Sequence, residues 1–193
     1  MKKIKLILPI LLILLSYEVL QTKNINVYDL YKTLHANPEL SFQEEATSRR
    51  LADILKSLGY EVTENFGGYG LVATLDNGEG KTILIRADMD GLPVEEETKA
   101  AYASNQKKIN QFGEEVYAMH ACGHDIHMSV LIGVAQEFIN SMETWSGRLI
   151  LVLQPAEEVS GGAKAMIAAG LFKKFPRPDY NLALHVSADI PAG

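Results

Sequence analysis

Cysteine is nearly absent, since Cys122 carries the only thiol in 193 residues. One thiol forms no internal disulfide, so the chain is not a disulfide-stapled module, and Cys122 is left to burial or to a metal. Basic charge is also scarce: 18 Lys and Arg stand against 24 Asp and Glu, giving a net charge of -6 and a pI near 5.4. That balance excludes a nucleic-acid-binding surface, which needs a concentrated basic face. The acidic clusters at Glu95–Glu97 and Glu114–Glu115 are expected in solvated loops. There is no internal repeat and no low-complexity tract. Long apolar runs are limited to Leu6–Leu15, whose ten residues fall short of the roughly 20 that span a bilayer. With Lys2, Lys3 and Lys5 ahead of it, this run reads as a secretory signal or an uncleaved membrane anchor over residues 1–22, because Ser16, Tyr17 and Glu18 make a poor cleavage site. An exported or membrane-attached location is therefore expected, with a buried N-terminal helix and a cytoplasmic chain as the alternative.

What remains is ordinary globular composition, 47% hydrophobic and 22% charged, in a length that accommodates one domain with a sizeable core. Val27, Leu30, Tyr31 and Leu34 recur at helical spacing between a capping Asn26 and Pro38. A second helix is expected from Ser41 to Leu58, with Ser41 and Glu44 as a capping box, Gly59 as its stop, and Phe42, Ala46, Leu51, Ile54, Leu55 and Leu58 on its core face. The period then changes to that of strands at Tyr60–Thr63, Gly70–Leu75 and Thr82–Ala87, and Asn77-Gly78 predicts that the last two pair as a hairpin. Glu95 to Glu115 reads as one long loop over the site entrance. Further strands are expected at Arg148–Leu153 and Tyr180–His185, and helices after Met119–His127 and from Gly161-Gly162 to Ala169. Strands separated by helices, several of them apolar throughout, imply an α/β fold with a mixed, largely parallel sheet flanked by helices.

The chemistry collects at the ends of these segments. MHACGHDIH, Met119 to His127, holds the one cysteine and three of the five histidines within nine residues. Cys122 and His124, separated by one glycine, can turn both donors to one metal. His120 and His127 are either ligands or hydrogen-bonding supports. A strand delivers Arg86, Asp88 and Asp90 to its C-terminal end, where open α/β sheets carry their chemistry. Glu157 and Glu158 follow another strand across Pro155; adjacent side chains diverge, so one can ligate a cation while its neighbour acts as general base. The bland alternative for that pair is an exposed acidic loop. His185 ends the last apolar run.

RADMDGLP at Arg86–Pro93, MHACGHDIH, QPAEE at Gln154–Glu158 and Ala183-Leu-His185 together resemble the peptidase M20 family, in its subgroup of N-acyl-amino-acid amidohydrolases that includes hippurate hydrolases and auxin-conjugate amidohydrolases. LHANPELSFQE, Leu34–Glu44, adds to a similarity that runs from Val27 to the C-terminus. The resemblance implies a catalytic domain with two divalent ions, zinc or manganese. Cys122 would bridge them, His124 and His185 would bind one, and Glu158 the other. Glu157 would be the general base, and Asp88 would orient His124 from behind. The implied substrate is a hippurate-like N-acyl amino acid. Family members continue into a lid and dimerisation domain, so residues 26–193 are expected to be the N-terminal part of the catalytic domain, truncated before that lid, with a homodimer depending on it. A last histidine ligand and a lid histidine would lie in the missing part. Two alternatives stand beside this reading: an inactive, membrane-tethered fragment that binds at most one metal, and an M20 dipeptidase or aminoacylase, against which the Cys-Gly-His motif argues.

Overall fold

The computed structural model describes residues 24–190. The signal or anchor expected over residues 1–22 lies outside them, and no helix among the described residues is long and apolar enough to cross a membrane.

Helix α1, Val27–His35, begins as its sequence suggests, with Asn26 Oδ1 accepting the otherwise unpaired N–H groups of Tyr28 and Asp29. Helix α2, Glu45–Ser57, begins later than expected. The capping box does not form, because both of its residues are taken by distant partners: Ser41 Oγ donates to Asp90, and Glu44 accepts from the backbone of Ala156. Phe42 and Ala46 are consequently exposed, and the buried face of α2 is Thr47, Ser48, Leu51, Ala52 and Leu55.

Strands β1 (Glu61–Thr63), β2 (Leu71–Asn77) and β3 (Lys81–Asp88) follow. The expected loop between Glu95 and Glu115 contains a small hairpin, β4 (Lys107–Ile109) and β5 (Glu115–Tyr117). Its strands are three residues long and none of their residues is fully buried, so they carry no apolar periodicity to read. Helix α3 (His124–Asn140), strand β6 (Gly147–Gln154), the short helices α4 (Gly162–Ala168) and α5 (Leu171–Lys174), and strand β7 (Tyr180–Ala183) complete the described chain.

The five long-range strands lie in the order β1-β2-β6-β3-β7. β2 and β3 do not pair as a hairpin; β6 enters between them, antiparallel to β2 and parallel to β3. Asn77-Gly78 still turns the chain, with Gly78 at φ +83° and its N–H on Asp76, but the central place goes to the strand that is apolar on both faces. Leu149, Leu151 and Leu153 of β6 pack with Leu51 and Leu55 of α2 and Leu131 and Ile132 of α3, while Ile150 and Val152 meet Met166 of α4 and Leu171 of α5. Each such leucine contributes about 1.5–3 kcal/mol by leaving water. The result is the expected mixed sheet flanked by helices, with its parallel part at β6, β3 and β7. β7 itself is an exposed edge and stops at Ala183, short of His185.

Parallel register sets Asp88 of β3 beside Gln154 of β6, so these strands finish together. The loops that follow, and the N-terminus of α3, therefore meet at one end of the sheet.

Candidate metal centre

The ring orientations at this end follow from which nitrogen is already used. His124 Nδ1 donates to the backbone carbonyl of Asp90 at 2.7 Å, leaving Nε2 buried with no hydrogen-bond partner among the described residues. His127 is spent at both nitrogens: Nδ1 donates to Asp88 Oδ1 at 2.7 Å, and Nε2 accepts Val186 N–H at 3.0 Å. His185 Nδ1 donates to Val186 O, so its Nε2 faces Cys122 Sγ at 3.3 Å. Gly123 makes the approach possible: its φ is +82°, and a Cβ there would meet Val186 Cγ2 at 2.4 Å.

Asp90 organises the opposite side. Its Oδ1 accepts Glu157 N–H at 3.0 Å, and its Oδ2 accepts Glu158 N–H at 3.1 Å and Ser41 Oγ–H at 2.6 Å. The same residue therefore holds His124 by its carbonyl and the Glu157-Glu158 backbone by its carboxylate. Glu157 Oε2 and Glu158 Oε1 then lie 3.9 and 3.7 Å from His124 Nε2. The Glu157 side chain is 41% exposed and that of Glu158 18%, so the adjacent carboxylates do occupy different environments.

The electrostatics describe a site with excess negative charge. Burial opposes ionisation of Asp88, yet the His127 hydrogen bond and the His124 and Arg86 charges hold it down to about 2. Arg86 Nη1 lies 2.7 Å from Asp88 Oδ2. Burial would lower His124, but Asp90 and Asp88 outweigh it and raise the ring. Burial raises Glu158, with the Asp90 charge adding to it. Burial and then the Glu158 charge push the Cys122 thiol up to about 11. A divalent cation answers each of these conditions: it supplies the missing positive charge, a partner for His124 Nε2 and one for Glu158 Oε1, both buried and without a hydrogen-bond partner among the described residues. The donor atoms of Cys122, His124 and His185 lie within 4.8 Å of one another, as do those of His124, Glu157 and Glu158. Two overlapping sets sharing His124 fit imidazole, carboxylate and thiolate ligation of a transition metal.

All six residues singled out from the sequence thus meet here: Asp88, Cys122, His124, Glu157, Glu158 and His185. The placement of Asp88 differs from expectation. It binds His127 directly and stands 3.5 Å from His124 on the Nε2 side, whereas the group behind His124 is Asp90, because the Asp90 carbonyl has already taken Nδ1. His127 supports rather than ligates. His120 is buried with no hydrogen bond at either nitrogen among the described residues, and burial lowers it to about 4, so among these residues it supports none of the candidate ligands by a hydrogen bond. Sequence reasoning missed the tethering roles of Asp90, Ser41 and Glu44. The Asp-x-Asp spacing of Asp88 and Asp90 is the one signal that pointed to the first of these.

Comparison with known proteins gives the same frame. A thermostable carboxypeptidase 2 of Saccharolobus solfataricus is 39% identical over 174 residues, which cover 86% of this chain and 40% of that protein. The hippurate hydrolase of Campylobacter jejuni is 44% identical over 153 residues, 79% of this chain and 37% of its own. The crystal structure of a dinuclear metal binding peptidase of Bacillus subtilis, from M20 family, matches with a TM-score of 0.74 at 30% identity, covering 86% of this chain and 43% of the other. The chain spans about two fifths of the length of the curated relatives it matches. Residues 84–193 match Peptidase family M20/M25/M40, a stretch that contains every one of the six donors and carboxylates above, and the chain belongs to that family.

Proposed function

We propose that this chain carries the metal-binding part of an amidohydrolase that cleaves the amide bond of N-acyl amino acids. One observation carries the reading: two adjacent carboxylates of unequal exposure stand 3.9 and 3.7 Å from the same imidazole nitrogen, which has no hydrogen-bond partner among the described residues. The buried member, Glu158, is suited to ligation, with His124, Cys122 and His185 completing the donors. When bound, divalent ions such as zinc or manganese would polarise the amide carbonyl and make a water more acidic. Glu157 Oε2 accepts the proton of the attacking water and passes it to the amide nitrogen as the C–N bond breaks. Asp90 keeps Glu157 in reach by holding its backbone N–H, and Asp88 fixes His127 against the His185 segment through Val186.

The test combines metal analysis with hydrolysis assays on a panel of N-acyl amino acids and dipeptides. Glu157→Gln should keep its metal and lose about 10²–10⁴-fold in kcat, the usual range for a general base. An unchanged kcat would remove Glu157 from that role. The same site could cut a peptide bond, as the name of the Saccharolobus relative says of that protein, and selective turnover of dipeptides would favour that reading.

A further inference from the structure

The first turn of α3 carries His124 and His127, yet Gly123 at its N-terminus has no side chain with which to cap it. Its rotation is set by side chains that reach sideways. Toward the sheet, His124 Nδ1 donates to the Asp90 carbonyl and His127 Nδ1 to Asp88. Toward α1, the residue that reaches out is Asp125, whose Oδ2 lies 2.6 Å from His35 Nδ1 while its Oδ1 accepts the Ile126 N–H at 2.9 Å. The turn is thereby anchored from two sides. Successive residues of a helix point about 100° apart, so a rotation that slackens the Asp125 contact must swing His124 as well. Its Nε2 is the nitrogen that stands 3.9 and 3.7 Å from Glu157 and Glu158.

His35 is itself firmly placed. Leu30 and Leu34, on the same helix, share a core with Met128 and Leu131 of α3, and the rings of Tyr31 and Tyr102 pack against the imidazole at centroid distances of 5.6 and 5.3 Å. The His35–Asp125 pair is almost wholly buried, with side chains 10% and 1% exposed, so water screens the contact little. His35, Asp125, Cys122 and His185 line one cavity of about 400 Å³. The contact therefore lies at the metal centre and not in a remote part of the fold.

The other ring nitrogen has a separate task. His35 Nε2 lies 3.0 Å from Glu96 Oε1, and Glu96 closes its own loop, accepting the Thr98 hydroxyl at Oε1 and the Ser104 N–H at Oε2, the latter at 2.6 Å. One arm of the imidazole thus ends next to the ligand His124, and the other in the segment from Glu96 to Ser104. Only the first arm bears on the metal.

We propose that His35 is a positioning residue of the metal centre: through the contact between its Nδ1 and Asp125 it fixes the first turn of α3, and with it the aim of His124 Nε2. The assignment rests on the reading of this site as a metal centre. Its two arms can be separated, because asparagine carries its amide nitrogen as many bonds from Cβ as Nδ1, and glutamine as many as Nε2. His35→Asn keeps a donor for Asp125, and His35→Gln keeps one for Glu96. Both variants lose the ring and one carboxylate partner, so general damage to folding strikes both alike. In equilibrium dialysis of the whole chain with zinc at neutral pH, His35→Gln should weaken binding about 10–100-fold and His35→Asn about threefold or less. Equal losses, two unchanged affinities or the opposite order overturn the proposal while leaving the metal centre intact. A wild-type chain that binds no zinc overturns both. The unmutated protein supplies a second measurement that no folding defect can blur: zinc should shift the nitrogen NMR resonance of His35 Nδ1 more than that of Nε2, and signals that move equally or stay in place overturn the assignment.

Discussion

Glu44 Oε1 accepts the N–H of Ala156 at 2.7 Å across 112 positions of sequence, fastening the turn before α2 to the turn that carries Glu157. It accepts Phe42 N–H as well, and both donors have positive φ, 62° at Phe42 and 48° at Ala156. One buried carboxylate thus stabilises two strained backbone turns, one on each side of the site.

That burial sets a pH dependence. It raises Glu44 from 4.5 to about 7, against the lowering effect of its backbone donors. A carboxyl with a raised folded pKa favours the folded state when protonated. Its contribution is complete below pH 4.5 and is lost as pH rises through about 7. Glu44→Gln keeps an acceptor without the charge, so its thermal stability relative to wild type should improve across this window, by on the order of 3 kcal/mol at the upper end. Glu44→Ala should instead be less stable at every pH, by about 1–3 kcal/mol for each N–H left unpaired. Melting curves of the three proteins from pH 4 to 8 decide the matter; parallel curves for wild type and Glu44→Gln would show that burial does not raise the Glu44 carboxyl.

Asp90 is the residue whose loss should loosen the site without unfolding the sheet. Asp90→Asn retains the carbonyl that takes His124 Nδ1 but offers one acceptor where the carboxylate had two for Glu157, Glu158 and Ser41. Metal affinity should fall about 10–100-fold, the range for groups that orient ligands. Equilibrium dialysis with zinc measures it, and an unchanged affinity would show that the Glu157-Glu158 turn holds its shape unaided.

The layers of the fold were legible because they rest on apolar periodicity, as in β6, where leucines alternate with Ile150 and Val152 on opposite faces. The donors were legible because cysteine, histidine and paired carboxylates are few and fall at segment ends. Two kinds of feature were not. Pairing order depends on which apolar strand reaches the middle of the sheet, so Asn77-Gly78 suggested a hairpin that β6 displaces. Polar tethers across long separations leave no local pattern, so Ser41 and Glu44 looked like a helix cap although their partners are Asp90 and Ala156.

His35 should make a second contribution that weakens with rising pH. Its Nδ1 lies 2.6 Å from Asp125 Oδ2 and its Nε2 3.0 Å from Glu96 Oε1, and only the imidazolium can donate to both. Burial alone would lower this histidine, but Glu96 and Asp125 raise it above 6.5. The stabilisation is therefore full below pH 6.5 and disappears as pH passes the raised value. His35→Gln should be less stable than wild type at pH 6, and the gap should narrow by pH 9. A gap independent of pH would mean that His35 acts by packing against Tyr31 and Tyr102 alone.

Cys122 separates ligation from packing. Without an ion its thiol lies near 11, so at neutral pH it is protonated, and only a bound cation would make it a thiolate. Cobalt-substituted protein should show a thiolate-to-cobalt charge-transfer band that persists in Glu157→Gln and vanishes in Cys122→Ala. The alanine variant should also hold less metal per chain, because His124 and His185 lose the third donor of their set. Cys122→Ser preserves the volume but supplies a far weaker donor at this pH, so it should resemble the alanine variant in metal content. Full occupancy in both variants would place Cys122 among the packing residues and leave the carboxylates and histidines to hold the metal by themselves.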